Sequence, residues 1–144
     1  MTSDQLEANK QVLRDFFGAL SSERYDEAFA LQAADGPVHL PSPRQTLRAA
    51  DWHEVYRRLM DTMFPGSGVQ YEIGPMTAEE DRVSVLAECH GRMKNGDDYN
   101  NVYQWLAVVR DGLIVELFES LDTLYAERSI HAAGWVGRRE TAGS

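Results

Sequence analysis

The chain has 144 residues, 43% of them hydrophobic and 26% charged, which fits one globular domain able to bury about two thirds of its unfolded surface. A formal net charge of -9 excludes nucleic acid and anionic membrane as expected partners, because phosphate binding needs clustered Lys and Arg, and Arg57-Arg58 and Arg138-Arg139 are short pairs. One cysteine, Cys89, excludes an internal disulfide framework. MTSDQLEANK carries no basic and apolar leader, and no apolar run nears the ~20 residues that cross a bilayer, so a cytoplasmic protein is expected.

In chain order, Leu6, Leu13, Phe16, Phe17 and Leu20 recur at helical spacing, with Thr2, Ser3 or Asp4 available as N-cap and Ser21-Ser22 as the end. A short second helix is expected over 25–34, closed by Asp35-Gly36-Pro37. An extended piece, 38–40, leads through Pro41 and Pro43 to a third helix. There Trp52, Val55, Tyr56, Leu59, Met60 and Met63 follow the i, i+3, i+4 pattern, with Asp51 as cap and Pro65-Gly66 as stop.

From Val69 the period becomes two. Val69, Tyr71 and Ile73 alternate with polar residues, as do Val83, Val85, Ala87 and Cys89. Asn95-Gly96 and Asp111-Gly112 are hairpin signals, with the long aromatic run from Tyr99 to Arg110 between them. A terminal helix is expected from Asp122, whose place before Thr-Leu-Tyr-Ala-Glu makes it an N-cap. Helices first and strands second is an α+β plan, here a curved antiparallel four-stranded meander wrapped around the N-terminal helices and enclosing a cone-shaped cavity. Residues 1–128 form this single domain. Residues 129–144 form a tail expected to be mobile beyond about residue 137, with Trp135 docked over the pocket mouth or onto a partner subunit.

One residue breaks the apolar pattern. In DGLIVELFESLD, Glu119 lies two residues from both Leu117 and Leu121, so on a strand all three share one face. A carboxylate on an apolar face is expected to have a raised pKa and to trade protons near neutral pH. The turn sets its neighbours. A two-residue turn at Asp111-Gly112 pairs Arg110 with Leu113 and brings Gln104 to the Glu119 face. A bulge at Gly112 pairs Val109 with Leu113 and brings Asn101, Tyr103, Trp105, Ala107 and Val109 there instead. The bulged form is preferred, with Tyr103 opposite Glu119. Leu106, Val108, Ile114 and Phe118 then form an outer apolar face suited to a homodimer.

The stretches VLRDFFGALSSERYDEAFAL, DRVSVLAECHG and VVRDGLIVELFESLD resemble the nuclear transport factor two-like superfamily, and within it the SnoaL-like polyketide cyclases. The resemblance covers roughly residues 6–128 and implies a cone-shaped α+β barrel. Ketosteroid isomerases of this superfamily use a Tyr and two Asp residues, and their positions match Phe16, Trp105 and Leu40 here, so steroid isomerisation is not expected. Limonene epoxide hydrolases use an Arg and two Asp residues. Cys89 and Gly91 stand for the Arg and the first Asp, and Glu119 for the second. The SnoaL-like cyclases' acid on the last strand also falls on Glu119, with Trp105 in place of their neighbouring His.

The resemblance therefore implies a cyclase or isomerase for an apolar, polyketide-like molecule, working by acid/base assistance or pericyclic ring closure. The alternative is a non-catalytic binder of a hydrophobic small molecule, or a dimeric interaction module. Glu119 and Tyr103 are the candidate catalytic residues. Phe16, Leu40, Tyr56, Met60, Cys89, Asn101, Trp105, Leu117 and Leu121 are the candidate substrate wall. Cys89 and His90 point to opposite faces and cannot pair as a nucleophile and base. His39, His53, His90 and His131 lack metal spacing and are expected at the surface or satisfied by neighbours. PGSG lacks the Lys of a phosphate loop and no dinucleotide fingerprint exists, so neither metal nor cofactor is expected.

Overall fold

The computed structural model describes residues 1–41 and 44–135. Helix α1 spans Ser3–Ser21. The Thr2 hydroxyl accepts from the Gln5 N–H at 3.2 Å while the Gln5 side chain accepts from the Thr2 N–H at 3.0 Å, a reciprocal cap of a kind that stabilises by ~1 kcal/mol. The helix buries Leu13, Phe16, Phe17 and Leu20 of the residues its periodicity singles out, while Leu6, near its start, is only partly covered.

Helix α2, Tyr25–Ala30, is shorter than its pattern suggests. The next residues are drawn into a tertiary pairing. Ile114 N–H donates to the Leu31 carbonyl at 2.8 Å, and Ala33 N–H donates to the Ile114 carbonyl at 2.9 Å. Strand β1 is Pro37–Pro41, and β2, Arg44–Arg48, is a strand the sequence pattern does not announce. Helix α3, Ala49–Met63, starts earlier than expected. Asp51 is therefore not its cap but lies in its first turn, accepting from Arg48 Nε at 3.2 Å.

The remaining strands are β3 (Val69–Glu79), β4 (Arg82–Arg92), β5 (Asp98–Arg110) and β6 (Leu113–Leu121), followed by α4 (Thr123–Ala126) and a π-helical turn, Glu127–His131. Asp122 caps α4 as expected, accepting from the Tyr125 N–H at 3.0 Å. The six-stranded sheet has the order β2-β1-β6-β5-β4-β3. Its β3–β6 part is the expected antiparallel meander. The sheet as a whole is mixed, because β1 joins β6 in parallel through Val38↔Leu117 and His39↔Phe118. It is also open rather than a closed barrel, with β2 and β3 as its edges.

Register faults at Ile73/Met76 and at Val108/Val109 add twist where the sheet must curve around the helices. The second fault resolves the turn. Asp111 (φ 51°) and Gly112 (φ 77°) form a tight two-residue connection that pairs Arg110 with Leu113, so no bulge lies at Gly112. The extra residue sits further on, where Val108 pairs with Glu116 and Val109 with Ile114. From there Trp105, not Tyr103, is opposite Glu119, and Tyr103 is opposite Leu121. The expected grouping of Asn101, Tyr103 and Trp105 with Glu119 on one face is kept by a different device. Ile114 is buried (1% exposed) rather than on the outer face. Gly36 passes directly beneath this bulge, where a Cβ would lie 2.5 Å from the Val115 carbonyl oxygen. Only glycine fits there.

Candidate active site

Helix α1 lies across β3, β4 and β5, while α3 lies against β1 and β2. Between α3, the inner sheet face and the C-terminal turn is a cavity of about 580 Å³. Each wall follows from local pattern. The α3 stripe contributes Trp52, Tyr56 and Met60, one turn apart. The inward positions of the strands contribute Tyr71, Cys89, Tyr99, Tyr103, Glu119 and Leu121. Leu40, Gln45 and Leu47 come from β1 and β2, and Ile130, His131 and Trp135 from the C-terminal segment.

Of the expected wall residues, Leu40, Tyr56, Met60, Cys89 and Leu121 face this cavity, with Glu119 and Tyr103. Phe16, Asn101, Trp105 and Leu117 are instead buried behind the wall, none more than 5% exposed. Trp105 stacks behind Tyr103 with ring centroids 5.0 Å apart and lies 4.3 Å from the Phe17 ring. Phe16 packs on Phe17 and Trp52.

Glu119 keeps a little accessible surface, and that surface opens onto the cavity. Burial raises its pKa to about 7, and hydrogen bonding with the Trp105 side chain pulls the other way. The phenols and the thiol of the wall move away from neutrality. Burial pushes the Tyr56, Tyr71 and Tyr103 phenols well above their usual value and Tyr99 to about 12. Burial, and then the nearby Glu119, also push the Cys89 thiol up, so it is no ready nucleophile. The phenols are paired: Tyr56 with Tyr71 at 2.8 Å, and Tyr99 with Tyr103 at 2.8 Å. Asn101 Nδ2 donates to the Tyr99 oxygen at 2.9 Å.

Sequence reasoning missed Tyr71 and Tyr99, although both stand at inward positions of the period-two pattern. It also missed Gln45 and Leu47, which lie on the unannounced strand, and the place of His131 at the cavity rim, where it is exposed as expected. The other histidines are satisfied by neighbours as expected. His39 sits between Thr46 and Glu116, and His53 Nε2 donates to the Gln32 side-chain oxygen at 2.7 Å. On the outer face, His90 of β4 pairs with Glu88 of the same strand and with Glu72 of β3, a convergence invisible in linear spacing. Trp135 docks at the mouth with the Arg58 guanidinium 4.6 Å over its ring. The expectation for residues beyond about 137 lies outside the described residues.

A model of the SnoaL-like domain matches residues 13–117. The chain belongs to this family. No curated protein matches it. Among solved structures, PrhC from Penicillium brasilianum superimposes with a TM-score of 0.77 at 17% identity, covering 89% of this chain and 88% of that one. An NTF2-like protein of unknown function from Burkholderia pseudomallei gives 0.74 at 19% identity, covering 85% and 97%. TerC, co-crystallised with polyporic acid, gives 0.73 at 14% identity, covering 86% and 98%. At these identities the likeness establishes the fold, and a shared fold hosts many reactions. Among the described residues no helix is long and apolar enough to cross a membrane.

Proposed function

We infer that this SnoaL-like domain is a cyclase or isomerase for an apolar, polyketide-like small molecule. The observation that carries the reading is Glu119, a carboxyl titrating at about 7 on the wall of an aromatic cavity of about 580 Å³. Near neutral pH such a group is present in both forms. It can protonate a carbonyl oxygen, or take a proton from the adjacent carbon, without a metal to assist it. The cavity has room to hold a folded chain with its reacting carbons close together, which lowers the barrier independently of proton transfer. Apolar residues at Phe16 and Leu40 and the tightly enclosed Gly91 support neither steroid isomerisation nor epoxide hydrolysis.

The test is turnover by Glu119→Gln and Trp105→Ala with candidate polyketides. If proton transfer limits the rate, Glu119→Gln is slower by about 10²–10⁴-fold with binding nearly unchanged. If ring closure is pericyclic, Gln still donates a hydrogen bond, the loss is under roughly tenfold, and Trp105→Ala is the more damaging change. Full activity in both variants removes the site from the reaction. Binding without turnover of any candidate favours a carrier. A homodimer through the outer sheet face is part of the proposal: Leu86, Val102, Leu106 and Phe118 are 36–53% exposed there. Sedimentation as a monomer at micromolar concentration sinks that part.

A further inference from the structure

The Asn101 amide is oriented by two independent partners. Its Oδ1 accepts from the Val102 N–H at 2.8 Å, and its Nδ2 donates to the Asp122 carbonyl at 3.1 Å, a group that can only accept. Nδ2 is therefore the atom that faces Tyr99, and it donates to that phenol oxygen at 2.9 Å. Tyr99 is 1% exposed, and its only other hydrogen-bond partner among the described residues is the Tyr103 oxygen at 2.8 Å. If Tyr103 donated to Tyr99, the Tyr99 proton would be buried with nothing to accept it, at the full desolvation cost of the group. The arrangement that satisfies every proton has Tyr99 donating to Tyr103. The Tyr103 hydroxyl has no other protein partner among the described residues, so its proton is left for the cavity that its side chain lines.

We propose that Asn101 and Tyr99 are positioning residues that hold Tyr103 as a one-way hydrogen-bond donor into the cavity, where it recognises the carbonyl oxygen of an uncharged ketone, ester or quinone. This rests on the reading of the cavity as a small-molecule site and adds the ligand's polar group. Tyr103 and Glu119 lie on the same sheet face as diagonal neighbours, within reach of one substrate-sized molecule. A ligand carbonyl placed between them meets one fixed donor and one titrating acid. Among the described lining residues there is no Lys or Arg, and the one histidine, His131, is exposed at the rim, so a carboxylate or phosphate held between Tyr103 and Glu119 meets no fixed counter-charge. Asn101, expected from the sequence to touch substrate, acts through Tyr99 instead.

The experiment compares 2-acetylnaphthalene with 2-isopropenylnaphthalene, which replaces the C=O by C=CH2 at nearly the same shape. Binding is measured by calorimetry and the bound ketone's carbonyl stretch by infrared spectroscopy. The wild type should prefer the ketone and lower its stretch relative to a hydrocarbon solvent. Tyr103→Phe should weaken the ketone about fivefold to tenfold, the loss of one neutral hydrogen bond, and return the stretch toward the solvent value, with the hydrocarbon unaffected. Tyr99→Phe and Asn101→Leu should show the same ketone-specific loss at roughly half that size, because Tyr103 regains freedom to turn. Should Asn101→Leu fail to fold, Tyr99→Phe decides alone. Equal loss for both probes in Tyr99→Phe, or an unshifted stretch in the wild type, overturns the proposal. Binding of neither probe by the wild type overturns it too, and with it the small-molecule reading of the cavity.

Discussion

At one end of the sheet's inner face, Val83, Val85, Ala107, Val109 and Ile114 are at most 2% exposed and belong to one packed cluster with Leu13, Phe16, Phe17 and Leu20 of α1. At the other end the same inward alternation continues as Tyr71, Cys89, Tyr99, Tyr103 and Glu119, and the space they enclose is hollow. The period is two in both. What differs is the side chain: aliphatic groups that fill volume at one end, hydroxyls that hold one another across a gap at the other. A paired phenol keeps its place without the contacts that would otherwise fix it, so a wall of tyrosines stays open where a wall of leucines would collapse. The solid end stabilises, and the hollow end has an interior to offer a ligand.

Truncation should separate the two ends most strongly. Phe16→Ala removes a ring that is 0% exposed and should cost about 3–5 kcal/mol in urea unfolding. Leu121→Ala enlarges a space that already exists and should cost less than about 1.5 kcal/mol. Equal costs would mean that the hollow end closes in solution.

The next effect is pH dependence. The Glu119 pKa is about 7 when folded against an ordinary value of 4.5. The folded state therefore binds the extra proton between those values, and stability falls as pH rises from about 4.5 to about 7, levelling above. The loss is at most about 3 kcal/mol, less where cavity water solvates the carboxylate. Urea titrations of wild type and Glu119→Gln across that window check it, because the Gln variant should lack this component. The groups facing Glu119 are Tyr56, Tyr99, Tyr103 and Cys89, all with pKa values displaced upward, and none should titrate in the window.

Gly91 lies beyond Cys89, at the far limit of the hollow end, paired with Val69 and Tyr99. A Cβ there would lie 2.9 Å from Phe64 Cδ1 and 2.9 Å from Val69 Cγ1. Gly91→Ala should therefore cost about 1–3 kcal/mol by overpacking, which also explains why an acid is not accommodated where the epoxide hydrolases carry one. A neutral result would mean that Phe64 swings aside. The smallest effect should be a gain. The Tyr25 hydroxyl is buried without a hydrogen-bond partner among the described residues. Tyr25→Phe relieves that and should stabilise by up to ~1 kcal/mol, measured as a higher urea midpoint.

Much of this division is written in local pattern. The α1 and α3 stripes, the four-strand meander, the Asp122 cap and the inward setting of Glu119 all follow from periodicity and turn chemistry. What escaped the sequence depends on distant partners. Strand β2, RQTLR, has a single apolar residue because it is an edge strand with little buried surface on either face. Helix α2 stops before its pattern does because Ile114 claims the backbone of Leu31 and Ala33. The bulge lies near Val115 and not at Gly112 because Gly36 approaches that carbonyl, a contact made 79 residues apart in the chain. Asn101 looked like a ligand contact since its strand position faces inward, yet the backbone of Val102 and Asp122 and the Tyr99 phenol use up its amide.

The parallel seam between β1 and β6 has a consequence for how the hollow end comes into being. Strand β1 has only β2 and the last strand as ladder partners, and β1 with β2 alone is a marginal hairpin. The wall bearing Leu40 and Leu47 cannot be set until β6 has been made and paired, whereas β3, β4 and β5 can zip with near neighbours. A high sequence separation of this kind slows folding. The cavity is then a property of the finished chain alone, so any molecule that fits it binds the native state and not its precursors. Such a ligand stabilises the fold by mass action, by ~2.7 kcal/mol at a hundredfold excess over its Kd, which raises the unfolding midpoint, and a thermal screen of small molecules reads occupancy without knowledge of the reaction.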